Sequence, residues 1–256
     1  MNSPELFVNN ALIRLIGWRA SIVHGDPSVF DRWLWLRRHL QPGPLRTLDA
    51  GCGSGAFTMY AAMIGNESVG ISYDERNNAV ATSRARMLGI RKVRFCTIDL
   101  RDLDQYSESL GAFDQIICCE TIEHILNDKK LLADLSGLLK PAGRLLLTTP
   151  FKHAIPLWGD RVSECEDGSH VRRGYTHAEM RDLLGACGME VRAEEYLSGC
   201  VSRHLVAATR TLSRVNPTIA WVATFPLRVF QVVDKNLTKA IRYPFMTIAI
   251  VAAKRP

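Results

Sequence analysis

The stretch Leu48-Asp49-Ala50-Gly51-Cys52-Gly53-Ser54-Gly55-Ala56 decides the fold of this chain. It grows out of a short apolar run, Thr47 to Ala50, that reads as a buried strand. Beyond it Phe57, Tyr60, Ala61 and Ile64 recur at helical spacing until Gly65-Asn66 stops the helix. Glycines between the strand and the helix let the backbone turn sharply and approach a ligand with no Cβ in the way.

The same alternation continues downstream. Ser68 to Ser72 reads as a second strand and Glu75 to Leu88 as a second helix, ended by Gly89. Val93 to Asp99 is a third strand, Gln115 to Cys119 a fourth and Arg144 to Thr149 a fifth; the helix Asp128 to Leu139 cannot extend through Pro141. Near-continuous apolar strands alternating with helices imply right-handed crossovers and a mostly parallel sheet with helices on both faces, an α/β fold. Thr176-His177-Ala178-Glu179 is a capping box that starts a helix running to Gly188, and Met189 to Tyr196 and Met246 to Ala253 read as two more strands.

Residues 200 to 245 are apolar, helical in character and too long for a plain connection, so they are expected to form an inserted helical cap. The expected organisation is an N-terminal helical cover over 1–45, a ligand-binding core over 46–199, the cap over 200–245 and the last strand of the core sheet over 246–256. The segment Leu6 to Trp18 in the cover is amphipathic at helical spacing.

Composition restricts the function class. The 256 residues, 47% hydrophobic and 23% charged, suit one domain with an insertion. The net charge of +6 invites an anionic partner, but no run of five or six basic residues marks a nucleic-acid arm. Seven cysteines, an odd number with no C-x-x-C pair, suggest neither a zinc site nor a disulfide framework; a reducing, cytoplasmic setting fits. The N-terminus lacks a secretory pattern, and no apolar run reaches about 18 residues. Ile219 to Val233 comes nearest but is broken by Pro226 and Arg228; peripheral contact with a lipid surface is open to it, and a packed lid is the stronger reading.

In an open parallel sheet, ligands bind beyond the carboxyl ends of the strands. Gly51, Gly53 and Ala56 also satisfy the dinucleotide fingerprint G-x-G-x-x-A, so the loop alone admits a nicotinamide-dependent oxidoreductase. Asp49 at the strand end tilts the choice: it would repel a pyrophosphate and welcome a cationic sulfonium and ammonium. With this acidic residue, the stretch Leu48 to Ala56 resembles the first motif of class I S-adenosylmethionine-dependent methyltransferases of the small-molecule type. Leu139-Lys140-Pro141-Ala142-Gly143 resembles the hinge before that family's fifth strand, and the resemblance spans roughly residues 46 to 199.

The resemblance implies a Rossmann-like seven-stranded sheet and S-adenosylmethionine as cofactor, with S-adenosylhomocysteine as product. It implies that Gly51, Cys52, Gly53 and Gly55 meet the methionine part of the cofactor and that Asp49 sits near its amino group. Asp99 and Leu100 would flank the adenine, and Cys119 and Glu120 the methionine side. The family's acidic residue at the end of the second strand, which holds the ribose, is here Ser72; either Asp74 substitutes for it or Asp74 caps the next helix.

Glu120-Thr121-Ile122-Glu123-His124 is similar to a signature of quinone-precursor O-methyltransferases, in which two carboxylates and the histidine hold a divalent metal. The same Glu-His occurs in relatives that need no metal, so no metal is the expectation here. The loop after the fifth strand carries His153, Trp158, Asp160, Glu164, Glu166, His170, Arg172 and Tyr175, which are expected to face the acceptor, with His170 or His153 as a general base. Trp18, Trp33, Trp35, Trp221, Phe225 and Phe230 suggest an apolar cover over a hydrophobic or amphiphilic small molecule. Nucleic-acid acceptors are disfavoured, because the fourth strand is followed by neither an Asn-Pro-Pro-Tyr type motif nor a Pro-Cys nucleophile. The reading is therefore an enzyme that methylates O, N or C of a small molecule. The alternatives are the oxidoreductase above and a non-catalytic binding domain on the same fold.

Overall fold

A computed structural model describes residues 13–23, 25–157, 159 and 161–255. The first part of the amphipathic segment from Leu6, together with Trp158 and Asp160, lies outside the described residues. Seven strands, β1 (Arg46–Ala50), β2 (Glu67–Ser72), β3 (Val93–Thr97), β4 (Phe113–Cys119), β5 (Leu139–Pro150), β6 (Met189–Leu197) and β7 (Thr247–Lys254), form one sheet in the order β3-β2-β1-β4-β5-β7-β6. Strands β1 to β5 run parallel, with Leu48 opposite Val69 on one side and Ile116 on the other. β7 alone reverses, pairing antiparallel with both β5 and β6. The strand order changes direction between β1 and β4, which puts the ligand cleft of an open sheet at the carboxyl ends of those two strands.

Both faces of the sheet are covered, which is why its strands are apolar at consecutive positions. In β4 and β5, Ile116, Leu145 and Leu147 pack on one face with Leu131 and Leu135 of α6 (Asp128–Leu138) and Met180 of α7 (His177–Ala186). Their neighbours Ile117 and Leu146 pack on the other face with Trp35 and Leu36 of α2 (Pro27–His39) and Ala61 of α3 (Ala56–Met63). Each such side chain, fully buried, contributes about 1.5–3 kcal/mol. The short helix α1 (Arg19–Val23) precedes α2; α4 (Glu75–Met87) and α5 (Ser107–Leu110) complete the core connections.

The hinge differs in detail from the sequence reading. β5 starts at Leu139, directly after α6 ends, because the turn is folded into the strand as a bulge: Leu139 pairs with Phe113, and pairing resumes at Arg144 with Gln115. Ala142 takes a left-handed φ of 59° there. A Cβ on Gly143 would meet the Lys140 carbonyl oxygen at 2.8 Å, so only glycine closes the bulge.

Residues between β6 and β7 fold as α8 (Cys200–Ser213), α9 (Pro217–Thr224), a 3-10 turn (Pro226–Phe230) and α10 (Gln231–Ala240). Polar groups fasten this layer to α2. Gln231 Nε2 donates to Asp31 at 3.1 Å, to the Pro27 carbonyl at 3.0 Å and to Ser202 at 3.1 Å, while Ser198 donates to Asp31 at 2.7 Å. Burial pushes the Asp31 carboxyl up to about 6.

Candidate active site

The glycine loop is shaped by what touches it. A Cβ on Gly51 would stand 2.4 Å from Thr121 Oγ1, and one on Gly55 would stand 2.7 Å from the Phe95 ring. Those two glycines allow close packing of the loop against the segment after β4 and against β3. Gly53 is different: its φ is +50° and nothing lies within 4 Å of where a Cβ would project. It leaves an open cradle on the cleft side of the loop.

The cleft beyond it measures about 420 Å³. Its walls bring together Gly51, Gly53, Ser72, Asp99, Leu100 and Glu120, six positions expected from the sequence. Five others stand behind the walls. Asp49 is 2% exposed beneath the loop and accepts from Thr58 Oγ1 at 2.6 Å; burial pushes its carboxyl up to about 6. Cys52 is buried with its Sγ towards Asn78, and Gly55 lies in the packing described above. Cys119 is only partly buried, packed against the core on the α2 side. Asp74 caps α4, accepting from the Arg76 amide at 2.9 Å, while Ser72 Oγ accepts from the Asp74 amide at 3.2 Å.

The sequence reading missed Asn77, Arg101 and Asp167, which also line the cleft, as does Glu166, which it had named among the residues facing the acceptor. Asn77 sits in the first turn of α4, so a search of the helix start beyond β2 had a local signal to find. Glu166 and Asp167 had none, because they reach the cleft only when the loop after β5 folds back. The Arg101 guanidinium joins Asp99 to Glu166, donating to Glu166 Oε2 at 3.1 Å, and Glu166 Oε1 accepts from the Leu126 amide at 2.6 Å. Glu166, expected to face the acceptor, thus shares the wall of the cleft with Gly51, Gly53 and Asp99. Hydrogen bonding from Arg101 holds the Asp99 carboxyl below its ordinary value. Four acids (Asp99, Glu120, Glu166, Asp167) against Arg101 give this wall an excess of negative charge.

A second cavity, about 520 Å³, adjoins the first and shares Glu120 and His124 with it. Its apolar walls are Phe151, Ile155, Leu157, Val162 and Met246, and His170 faces it. None of the six aromatics expected to line an acceptor pocket borders it. Trp18 instead stacks on Tyr60 at 5.1 Å and meets Trp33 edge-on, Trp35 is buried in the core, and Trp221 stacks on Phe225. Aromatic side chains at helical spacing built packing between layers, and Phe225 and Phe230 face outward.

At the junction of the cavities, Glu120 holds a left-handed φ of 49°, a strained conformation for a residue with a side chain. Its carboxylate accepts from Thr148 Oγ1 at 3.0 Å and faces Arg32 at 3.4 Å. Glu123 is fully buried; Thr149 donates to one carboxylate oxygen, and the other, Oε1, has no hydrogen-bond partner. Burial, with Glu120 nearby, drives the Glu123 carboxyl well above the usual carboxylate range. The His124 and His170 rings meet edge to face at 4.7 Å, and His124 Nδ1 lies 3.0 Å from the Ser169 carbonyl. Donor atoms of Glu123, His124 and His170 lie within 4.8 Å of one another. A buried, unpartnered carboxylate oxygen beside two imidazoles fits a divalent cation of borderline softness. This trio takes His170 where the resemblance had Glu120.

Other loop residues are placed apart from this group. His153 is exposed, edge-on to Phe151, and borders neither cavity. Tyr175 is buried with its hydroxyl on Asp128 at 2.7 Å, and Arg172 donates to the Ile125 and Leu126 carbonyls at 2.8 Å, so both anchor the loop. Partial burial, His124 and Arg210 together hold the His170 imidazole below its ordinary value, which favours the neutral ring.

Replacing Asp99 with Ala is expected to weaken S-adenosylhomocysteine binding roughly tenfold, the scale of one hydrogen bond to a charged group, with a melting temperature lowered by only a few degrees for the lost cap on the Arg101 amide. Calorimetric titration checks this; an unaltered dissociation constant would remove Asp99 from the ligand's contacts.

Comparison with known proteins places the same stretch. The family described as "Methyltransferase domain" matches residues 44–184. The chain is 31% identical over 170 residues to the ubiquinone biosynthesis O-methyltransferase of Ruegeria pomeroyi, covering 63% of this chain and 65% of that protein. It is 27% identical over 154 residues to the enzyme of the same name from Marinobacter nauticus, covering 57% and 64%. Alignments with such curated relatives span between 40% and 65% of their length. Among solved structures, the cyclase SpnF superposes with a TM-score of 0.60 at 22% identity, over 87% of this chain and 79% of that one.

Proposed function

Because the chain belongs to the methyltransferase-domain family, we propose that it transfers the methyl group of S-adenosylmethionine to an oxygen of a hydrophobic or amphiphilic small molecule. The observation that carries this reading is the acidic wall of the cleft at the point where strand order reverses. Four carboxylates against two arginines, Arg101 on Asp99 and Glu166 and Arg32 on Glu120, leave an excess of negative charge that favours a ligand bearing sulfonium and ammonium charges and opposes the pyrophosphate of a nicotinamide cofactor. Oxygen is preferred as acceptor atom because the curated relatives are named O-methyltransferases.

Methyl transfer is an in-line displacement: an acceptor oxygen forms a bond to the methyl carbon as the sulfur–carbon bond breaks, and the electron pair stays on sulfur. The chain's part is to align the two reactants and exclude water. Gly53 leaves room for the cofactor, Asp99 is suited to accept from its adenine amino group, and Glu120 stands between cofactor and acceptor cavities. His170, held neutral, is the candidate to take the acceptor's proton. Its depressed pKa sets the sign of the pH dependence: activity falls as the ring gains a proton, so the acid limb lies below the ordinary imidazole range of about 6.5.

The unpartnered oxygen of Glu123 favours a second reading of the same corner. Glu123, His124 and His170 would hold a divalent cation, which when bound lowers the pKa of a phenolic acceptor. The deciding experiment incubates the protein with methyl-labelled cofactor and a panel of catechols and hydroquinones, with and without EDTA. Labelled O-methyl product at an unchanged rate in EDTA is the expected result. Loss of activity restored by zinc or magnesium would assign the trio to a metal, and no transfer to any acceptor would turn the reading towards a binding domain. Calorimetry with S-adenosylhomocysteine and with NAD separates the oxidoreductase alternative.

A further inference from the structure

The insertion beyond α8, which itself buries Leu205 and Val206, is built inside out. In the 3-10 turn and α10, Arg228, Gln231, Asp234 and Thr238 are buried, while Val229 is 65% exposed, Phe230 54%, Val232 68% and Val233 53%. In α9 the pattern repeats: Ala220 and Thr224 face the protein, and Ile219 and Val222 face out. A soluble helix does the reverse. The inversion is fixed by hydrogen bonds. Asp234 accepts from the amides of Gly199, Val201 and Ser202, Arg228 donates to the Gly25 carbonyl, and Gln231 is tied to Asp31 and Pro27. Turning the apolar face inward would strand those groups, so the outward face is a built surface and not a loose register. Contiguous apolar patches of this extent mark an interaction site.

Charge says what meets it. Residues 200–245 hold seven arginines and lysines against one acidic residue, Asp234, a formal +6, of which Arg228 is buried, Arg210 pairs with Asp26 and Lys235 pairs with Glu195. Asp234 is buried and Lys235 is tied to Glu195 at 2.6 Å, while Lys239 and Arg242 are exposed beside Leu237 and Ile241. A second copy docking on this face would set positive against positive. Protein interfaces also deplete charge at their centre, whereas here cations are interleaved with aliphatic side chains along one helix. Interleaving of that kind matches the boundary between acidic headgroups and acyl chains.

We propose that the outward face of α9, the 3-10 turn and α10 docks on an anionic lipid bilayer, with the apolar side chains entering the headgroup boundary and the basic ones pairing with lipid phosphates. No helix among the described residues is long and apolar enough to cross a membrane. The proposal does not depend on the reaction assigned above.

The test is sedimentation of the full chain with phosphatidylcholine vesicles, with and without 30% phosphatidylglycerol, at low and at 0.5 M salt. Binding is expected to the acidic vesicles, and salt weakens it. Val229→Asp with Phe230→Asp should lower that affinity at least tenfold, with the circular dichroism melt and S-adenosylhomocysteine binding retained because both side chains are exposed. Lys239→Glu with Arg242→Glu should cost roughly fivefold for each positive charge removed. Failure to pellet with acidic vesicles, or equal pelleting by Val229→Asp with Phe230→Asp, overturns the proposal. So does sedimentation velocity showing a dimer that this pair of substitutions converts to monomer, which would make a second copy the occupant.

Discussion

Gly53→Asp is expected to weaken S-adenosylhomocysteine binding roughly 100-fold or more, about 2.7 kcal/mol, while leaving the fold intact. The backbone at Gly53 has φ +50°, and aspartate is among the few side chains that tolerate this region, so strain in the loop stays small. Nothing lies within 4 Å of the new Cβ, so no core contact is lost; the side chain projects into the cleft and takes the ligand's space. Gly53→Ala, adding a Cβ alone, should fall between wild type and aspartate. Gly51→Ala makes the contrast, because its Cβ would meet Thr121 Oγ1 at 2.4 Å and lower stability as well. Calorimetric titration with a parallel thermal melt reads both quantities. Undiminished binding in Gly53→Asp would remove the loop from the ligand site.

Asp234→Ala should lower the stability of the chain by about 3 kcal/mol or more, since unsatisfied buried donors cost roughly 1–3 kcal/mol each. The Asp234 carboxylate, 3% exposed, accepts from three amides at the start of α8 at 2.8 to 3.0 Å and from Thr238 Oγ1 at 2.9 Å. Alanine leaves those amides with neither a helical partner nor easy access to water. For a chain of this size the melting temperature should fall by on the order of 10 °C. Asp234→Asn keeps one acceptor oxygen and should lose about half as much. A change below 2 °C in Asp234→Ala would mean that water replaces the carboxylate and that the cap is anchored elsewhere.

These two sites differ in how far the sequence discloses them. The loop from Asp49 to Gly55 is local: strand, turn and helix follow one another within a dozen residues, so turn chemistry and hydrophobic period are enough to find it. The capping box at Thr176 and Glu179 is local in the same way and has the reciprocal bonds its spacing requires. Asp99 and Glu120 follow from position, each at the carboxyl end of a strand. Asp234 carries no such mark. Its value rests on amides 32 to 35 residues earlier, a pairing that no local pattern encodes.

The sequence by itself determined the α/β core, the seven strands in their order along the chain and the glycine loop at the head of β1. Those features depend on period, turn residues and caps, which act between neighbours in the chain. Tertiary structure alone decided that Glu166 and Asp167 join the wall of the cleft, that His170 rather than Glu120 stands with Glu123 and His124, and that the tryptophans pack layers instead of lining the second cavity. It also decided the direction in which the cap faces. An amphipathic helix has a polar and an apolar side whatever surrounds it, and only the hydrogen-bond partners offered by Asp31, Pro27 and the start of α8 draw the polar side inward.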